Sequence, residues 1–410
     1  MRVRPRVGLS LLPGDDLRLA SQPLFAAGLV EALEWTIDTE FGATSELAAA
    51  SAAALPPWVE PLLDHYAAEG ALYGHGVHFS PLSAQFEARQ QRWLAQARRA
   101  LERRPYRHLS EHFGFSTVPG LAQGAPLPLP FDSGAVALGR ERLRMLEDAA
   151  SAPVGLENLA LAMSRDDVLL HGEFLDALLD PTGGFLLLDL HNLYCQAVNF
   201  DVPPEDLLLA MPLERVREVH LSGGRWATVA TPEGPGRFRR DTHDGAIPEE
   251  VLALLELALR RCPRLEAVFV ERLSGTLGSA HEVERYRDDY RRVFELTAER
   301  GAAAEPSLSA SSPGVSAARG ARALPETAMD DVELAALQLA FSESLRQTAS
   351  PEEARARLER SNLPEPARRW LARCDPRSLQ TAIEIAARWS QLDTAAAAAG
   401  ATAAATPDAG

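Results

Sequence analysis

The chain has 410 residues, of which 46% are hydrophobic, and it carries a formal net charge of -16 at pH 7. This length allows one large buried core and a second, smaller domain. The negative charge disfavours non-specific binding to nucleic acid, because a basic excess is needed to neutralise phosphates. No apolar stretch approaches the roughly 20 residues that span a membrane, and the N-terminus lacks the features of a signal peptide. We therefore expect a cytoplasmic protein without nucleic-acid or membrane partners.

Short apolar runs alternate with amphipathic segments from residue 6 to about residue 300. A short apolar run bounded by turn residues indicates a buried strand. Eight strand–helix units predict a (β/α)8 TIM barrel over residues 1–300, since such barrels typically need about 250 residues. A doubly wound open sheet is the alternative, but no glycine-rich phosphate loop follows the first run. The eight runs lie at residues 6–12, 32–38, 71–79, 107–113, 154–160, 185–191, 216–222 and 267–273.

The C-terminal part of the chain differs in composition from the predicted barrel. Residues 301–326 are rich in Ala, Ser, Pro and Gly, which is typical of a flexible linker. Residues 327–393 carry apolar stripes at helical spacing and predict a small all-α domain. Within them, Ser350 and Glu353 have the spacing of a capping box, which predicts that a helix begins there. Residues 394–410 are of low complexity and predict a disordered tail.

Histidines and carboxylates stand at the downstream ends of the apolar runs. A charge at the end of a buried strand must be paired, hydrogen-bonded or bound to a metal. The C-terminal strand ends of a (β/α)8 barrel meet at its active-site face, so these side chains can converge. The residues in question are His75, His112, Glu157, Asp189, His191, Asn192, His220, Asp241, His243 and Glu271. Together they predict a polynuclear metal site.

The donor types suggest what such a site can hold. A carboxylate can bridge two metal ions about 3.5–4 Å apart, so Glu157 and Glu271 make a multinuclear site plausible. Asp189 and His191 are two residues apart, and on a strand both side chains would enter one cavity. Nitrogen and oxygen donors without thiolate suit iron, but they also suit manganese or zinc. The donor set alone leaves the metal open.

The motifs resemble those of the multinuclear non-haem iron-dependent oxidative enzymes that modify ribosomally made peptides, typified by methanobactin-biosynthesis enzymes. The resemblance covers roughly residues 6–300. It rests on HGVHFS, SEHFG, LEN, LLLDLHNLYCQAVN, VREVHLSG, DTHD and the Glu of VFVERL, in that order. It implies a TIM barrel similar to xylose isomerase, with two or three Fe(II)/Fe(III) ions at its mouth and dioxygen as co-substrate. The implied substrate is a precursor peptide oxidised at cysteine or another side chain, often with a separate protein that holds its leader.

The resemblance also implies a role for each predicted donor. It assigns His75, His112 and Glu157 to a first iron, Glu157, Asp189, His220 and Glu271 to a second iron and to catalysis, and Asp241 and His243, with a side chain from the His191–Asn192 pair, to a third. Two positions depart from the family pattern. His191 stands where many relatives have Asn, and Arg-Leu follows Glu271 where Trp-Asp is common.

Two other classes of function remain open from the sequence. One is a redox-inert divalent-metal enzyme on the same barrel, either a sugar isomerase or an endonuclease, although the acidic balance disfavours the endonuclease. The other is a binding protein with structural metals whose helical tail recruits a partner. For residues 327–393 our hypothesis is that they present the peptide or dock the partner protein, which raises the effective substrate concentration. A role in solubility or oligomerisation is the alternative.

Overall fold

The computed structural model describes residues 4–41, 55–119, 121–180, 182–231, 234–303 and 328–388. Its strands are β1 (Arg6–Leu11), β2 (Ala32–Thr36), β3 (Leu72–Gly76), β4 (Leu109–His112), β5 (Phe115–Val118), β6 (Leu121–Leu127), β7 (Val154–Glu157), β8 (Phe185–Asp189), β9 (Val216–Leu221), β10 (Arg225–Thr231), β11 (Gly234–Arg240) and β12 (Ala267–Val270). Eight of them close into a barrel in the order β1-β12-β9-β8-β7-β4-β3-β2. The predicted (β/α)8 barrel is confirmed, and each of the eight apolar runs contains one barrel strand.

Helices surround the barrel and continue beyond it. They are α1 (Asp15–Ala26), α2 (Val59–Ala68), α3 (Ala88–Arg103), α4 (Ser133–Ala150), α5 (Arg165–Leu179), α6 (Leu190–Asn199), α7 (Pro204–Leu209), α8 (Glu249–Arg261), α9 (Ala280–Ala303), α10 (Val332–Gln347), α11 (Pro351–Glu359) and α12 (Glu365–Ala372). A further helix, α13, covers 376–388. No helix in the described ranges is both long and apolar enough to cross a membrane.

The barrel strands are apolar because helices cover the barrel outside while side chains fill its interior. In β8, for example, every residue from Phe185 to Asp189 is buried. Gly8 on β1 has the Phe269 ring so close that an added Cβ would lie 2.5 Å from it. Phe269 packs with Tyr73 in a small apolar cluster inside the barrel. This cluster forms an apolar floor, and the polar strand ends lie above it.

Two hairpins, β5–β6 and β10–β11, were not predicted from the sequence. Each is a separate antiparallel two-stranded sheet outside the barrel. The strands of the second hairpin, RWATVAT and GPGRFRR, lack a continuous apolar run and a clean alternation of apolar and polar residues. They therefore carry little of the signal that identifies a strand. The β10–β11 hairpin follows β9 and leads directly into the predicted DTHD motif.

The helices after residue 330 form a small all-α region. Ser350 caps α11, as predicted, because its Oγ accepts the N–H of Glu353 at 3.3 Å. On α10, the buried Gln338 accepts the N–H of Ala84 at 2.8 Å and donates to the Leu82 carbonyl at 2.7 Å. The region therefore packs against the loop that follows β3. The predicted linker and tail lie outside the described residues except for 301–303, which end α9, and the predicted domain boundaries stay predictions.

Candidate metal centre

Parallel strand register brings the predicted donors to one level at the C-terminal end of the barrel. His112 on β4 pairs with Glu157 on β7, and Asp189 on β8 pairs with His220 on β9. Glu271 follows β12, and its N–H donates to the Leu221 carbonyl at 2.9 Å. Because each residue lies at or next to the end of its strand, these side chains meet at the mouth of the barrel, where the sequence predicted them to converge.

The first donor group contains His75, His112 and Glu157, whose ligand atoms lie within 4.8 Å of one another. The Nε2 atoms of His75 and His112 lie 3.4 and 3.3 Å from Oε2 of Glu157. The opposite ring nitrogens are fixed by hydrogen bonds, since His112 Nδ1 donates to the Gly76 carbonyl at 3.3 Å and His75 Nδ1 lies 2.8 Å from Ser110 Oγ. Burial lowers the pKa of both histidines to about 4. Both rings are therefore neutral and present Nε2 to the group, as metal ligation requires.

The second donor group contains Glu157, Asp189, His220 and Glu271, again with ligand atoms within 4.8 Å of one another. His220 Nδ1 lies 3.2 Å from Glu271 Oε1 and 4.0 Å from Glu157 Oε1. Asp189 ends β8 and at once begins α6, where its Oδ1 accepts the N–H of Asn192 at 2.5 Å. Asp189 Oδ2, His220 Nδ1 and Glu271 Oε2 are buried and have no hydrogen-bond partner among the described residues. Such unpaired atoms are costly without a ligand.

Glu157 belongs to both groups. Its Oε2 faces the imidazoles of His75 and His112, whereas its Oε1 lies toward His220 and accepts a hydrogen bond from Asn192 Nδ2 at 3.2 Å. Each carboxylate oxygen is therefore directed at a different donor group. This is the arrangement in which one carboxylate can bridge two metal ions.

The residues predicted to hold a third metal ion contact one another in sequence, from Glu271 through His243 and Asp241 to His191. His243 lies between two carboxylates, with Nε2 2.7 Å from Asp241 Oδ2 and Nδ1 3.3 Å from Glu271 Oε2. Asp241 Oδ1 lies 2.8 Å from Nδ1 of His191. Asn192 Oδ1 is buried and no described residue hydrogen-bonds to it. Asp241 and His243 do not appear among the groups of three or more possible metal ligands found in the described parts of the chain, so the third metal position stays a prediction.

The electrostatics of the centre favour a bound cation. Burial, followed by the charge of Asp241, raises the pKa of Asp189 to about 8. Burial also raises the pKa of Glu157 well above its usual range. Burial opposes ionisation of Glu271 as well, but His220 and His243 lower the pKa of Glu271 below its usual range. Because three acidic groups share one buried site, a divalent cation would relieve both their desolvation and their repulsion. The residues present therefore fit metal ions.

Sequence reasoning missed Glu34 and Glu218, which lie beneath the centre and are completely buried. Glu34 Oε2 is 3.0 Å from His220 Nε2, and Glu218 Oε2 is 2.6 Å from Nε2 of His108. If His220 Nε2–H donates to Glu34, its Nδ1 is left free for a metal. Two signals were available in the sequence. Glu218 precedes His220 by two residues and so shares its side of β9, and Glu34 is a charge inside an apolar run.

Three comparisons with known proteins bear on this chain. A family model described as RiPP precursor modification enzyme MbnB/TglH/ChrH matches residues 44–284. A UPF0276 protein of Acaryochloris marina is 30% identical over 219 residues, which cover 50% of this chain and 76% of that relative. A UPF0276 protein of Caulobacter vibrioides is 31% identical over 157 residues, which cover 37% of this chain and 52%, or about half, of that relative.

Solved structures with a similar backbone have a lower sequence identity to this chain than these relatives. D-allulose 3-epimerase from Methylomonas sp. is 16% identical with a TM-score of 0.43, covering 72% of this chain and 98% of that chain. An IolI protein with a bound zinc atom is 10% identical with a TM-score of 0.46, covering 72% of this chain and 99% of that chain. Neither likeness bears on the chemistry of the centre.

Proposed function

This chain belongs to the family of RiPP precursor modification enzymes MbnB/TglH/ChrH, and we propose that it uses iron and dioxygen to oxidise a side chain of a ribosomally synthesised precursor peptide. The family makes the protein an enzyme that acts on a peptide. The proposal adds two or three iron ions, dioxygen as co-substrate, and cysteine or another side chain near the peptide core as the oxidised group. It also places the protein in the cytoplasm, with a leader-binding protein as its partner.

The position of Glu157 carries this proposal. One carboxylate oxygen lies 3.4 and 3.3 Å from two neutral imidazoles, and the other faces a second group that contains two more carboxylates. A single metal ion would need only one of these groups. Two groups that share a carboxylate suit a pair of ions. Redox chemistry further requires ions that change oxidation state, and the nitrogen and oxygen donors present are ones that iron accepts.

Each iron would be held by residues already in place. The first would be held by His75, His112 and Glu157, the second by Glu157, Asp189, His220 and Glu271, and the third by Asp241 and His243 with a side chain from the His191–Asn192 pair. Bound iron would supply the reduction of dioxygen and the oxidation of the substrate. The oxygen and nitrogen donors, with no thiolate among them, are compatible with iron in both oxidation states.

The protein itself supplies orientation and exclusion of water. His75, Asp189 and His220 lie deep in the centre and are buried, while His112, Asp241 and His243 keep 20–26% of their side chains exposed. The exposed group marks the side from which a peptide side chain can approach. Each imidazole is held by the ring nitrogen that points away from the centre: His75 by Ser110, His112 by the Gly76 carbonyl and His220 by Glu34. The donor atoms are therefore arranged before the substrate binds.

We also propose that the helices after residue 330 help to present the peptide. They contact elements on the metal side of the barrel: Gln338 binds the loop after β3, Trp370 Nε1 donates to Asp167 at the start of α5, and Arg377 Nη2 donates to the Asn199 carbonyl at the end of α6. A surface beside the mouth would raise the local peptide concentration. A protein truncated after residue 303 should keep its iron and its kcat but show a higher apparent KM. Unchanged kinetics at every peptide concentration would exclude this role.

The function is tested by coexpression with a candidate precursor peptide, followed by mass spectrometry of that peptide. We expect an oxidative mass change that requires both iron and dioxygen. Turnover that proceeds with a redox-inert metal and without dioxygen would instead support the isomerase class. Metal binding without any modification of the peptide would support a binding protein. His281→Ala is the matched control, because His281 is an exposed histidine on α9 and is not a member of the donor groups.

A further inference from the structure

The β10–β11 hairpin delivers a buried arginine to the edge of the centre. Arg239 on β11 is only 8% exposed, and its guanidinium lies over the rings of Tyr194 and Trp226, 5.7 and 5.9 Å from their centroids. Among the described residues no carboxylate lies within ion-pair distance of this guanidinium. Its polar contacts include the imidazole of His191, whose Nε2 lies 3.1 Å from Nη2 and 3.3 Å from Nε of Arg239.

This contact fixes the tautomer of His191. A guanidinium has only donors, so His191 Nε2 must carry the lone pair that accepts. The ring proton is then on Nδ1, which lies 2.8 Å from Oδ1 of Asp241 and donates to it. Both nitrogens of His191 are occupied, one by Arg239 and the other by Asp241. Neither is free to bind a metal in this arrangement.

We propose that His191 is a positioning residue and not a metal ligand, and that Arg239 acts through it to orient Asp241. Asp241 Oδ1 is held by His191, which directs Oδ2 toward His243 at 2.7 Å. Asn192, whose Oδ1 has no partner within the described ranges, is then the member of the His191–Asn192 pair that is free to bind. That a metal occupies the position beside Asp241 and His243 rests on the proposed function, whereas the tautomer of His191 does not.

The local fold fixes the positions of Arg239 and His191 relative to each other. Helix α6 carries both His191 and Asn199, and the Asn199 side chain pairs with the backbone of Arg239, accepting its N–H at 2.7 Å and donating to its carbonyl at 2.9 Å. At the start of the hairpin, a Cβ on Gly224 would lie 2.8 Å from Cε1 of His191 and 2.1 Å from the Arg240 carbonyl oxygen. Only glycine leaves room for the ring at that point. One helix therefore fixes both the backbone and the guanidinium of Arg239.

The first test needs no metal. Nitrogen NMR of the full-length, metal-free protein with labelled histidine reports which ring nitrogen carries the proton, and His191→Gln identifies the His191 signals. We expect a neutral ring with the proton on Nδ1. A proton on Nε2, or a doubly protonated ring, would overturn the assignment whether or not the protein is an iron enzyme.

The second test compares variants by anaerobic Fe(II) titration against a competing chelator. Arg239→Met should weaken the last iron equivalent to bind by roughly 10- to 100-fold, which is the usual effect of losing an outer-shell partner. His191→Leu should weaken it similarly, and the double variant should be no worse than either single variant. His191→Gln should retain the affinity within a few fold, because an amide can accept from Arg239 and donate to Asp241.

The alternatives give different results in this titration. If His191 were a ligand, Arg239→Met would leave the last equivalent unchanged and His191→Gln would lose it, which would overturn the proposal. If the wild-type protein binds no iron, the proposed function fails, and the NMR result still decides the tautomer. Circular dichroism of each variant checks that the barrel is folded.

Discussion

Nε2 of His220 lies 3.0 Å from Oε2 of Glu34, and both side chains are completely buried inside the barrel. The opposite nitrogen of the same ring, Nδ1, lies 3.2 Å from Glu271 Oε1 but has no hydrogen-bond partner in the part of the chain that the structure describes. A carboxylate behind a histidine fixes its tautomer and makes its other nitrogen a better ligand. Glu34, which was not predicted as a site residue, is therefore expected to make His220 a better ligand in the second donor group.

Replacing Glu34 should weaken metal binding at the second group and leave the first group intact. Glu34→Ala removes the acceptor for His220 Nε2–H, so affinity there should fall by about 10- to 100-fold. Glu34→Gln should lie between wild type and Glu34→Ala, because its amide oxygen still accepts. Anaerobic metal titration measures both effects. Equal loss at both groups would mean that Glu34 acts only on the stability of the barrel.

Replacing Glu157 should have a larger effect, because this residue contributes to both groups. Glu157→Ala should remove metal from both positions and abolish peptide modification, as measured by elemental analysis and mass spectrometry. His220→Ala should also abolish turnover. His65→Ala and His281→Ala should behave like wild type, since both histidines are exposed on helices. A Glu157→Ala protein that kept its metal and its activity would disprove the bridging assignment.

His171 should make the fold sensitive to acid. Burial lowers its pKa from 6.5 to about 4, and its Nε2 accepts the N–H of Leu159 at 3.3 Å. The folded state therefore binds fewer protons than the unfolded state between these two values. Stability from this group is complete above pH 6.5 and is lost as the pH falls toward 4, by about 3 kcal/mol in all.

Denaturant unfolding across this pH range checks the effect. His171→Gln keeps an acceptor that does not titrate, so its stability should fall less steeply than that of wild type. The exposed His281→Gln serves as the control and should follow the wild-type profile. If the stability of His171→Gln and of wild type fell equally steeply with pH, the pKa of His171 would be the same in the folded and unfolded states, which would contradict this prediction.

Gln338 should anchor the C-terminal helices to the barrel. Its amide satisfies the Leu82 carbonyl and the Ala84 N–H at 2.7 and 2.8 Å, and it is buried. Gln338→Ala leaves both backbone groups unpaired, which should cost about 1–3 kcal/mol. Leu339→Ala, a change at the neighbouring and exposed position of α10, should cost much less. Chemical denaturation of the two variants measures the difference.

The sequence predicted the barrel well because its strands are continuous apolar runs that end in polar residues. The runs 185–191 and 267–273, for example, contain β8 and β12. The β10–β11 hairpin escaped prediction because it has neither an apolar run nor regular alternation, and Arg239 within it is one of several arginines. Arg239 is buried because its strand contacts α6, and a local sequence pattern does not reveal such a contact.

The convergence of the candidate donors was predictable for the same reason, since the strand ends of a barrel meet at one face. Their role as metal ligands stays a prediction. Glu34 was missed because it lies within its strand rather than at the end. The state of the His191 ring could not be inferred from sequence at all. It depends on the distances to Arg239 and Asp241, which come from separate parts of the chain.

Mössbauer spectroscopy with elemental analysis of anaerobically purified protein tests the central claim most directly. If Glu157 bridges two ions, the protein should contain about two to three iron equivalents per chain, and at least two of them should be high-spin and magnetically coupled. One zinc per chain and no iron would contradict the account.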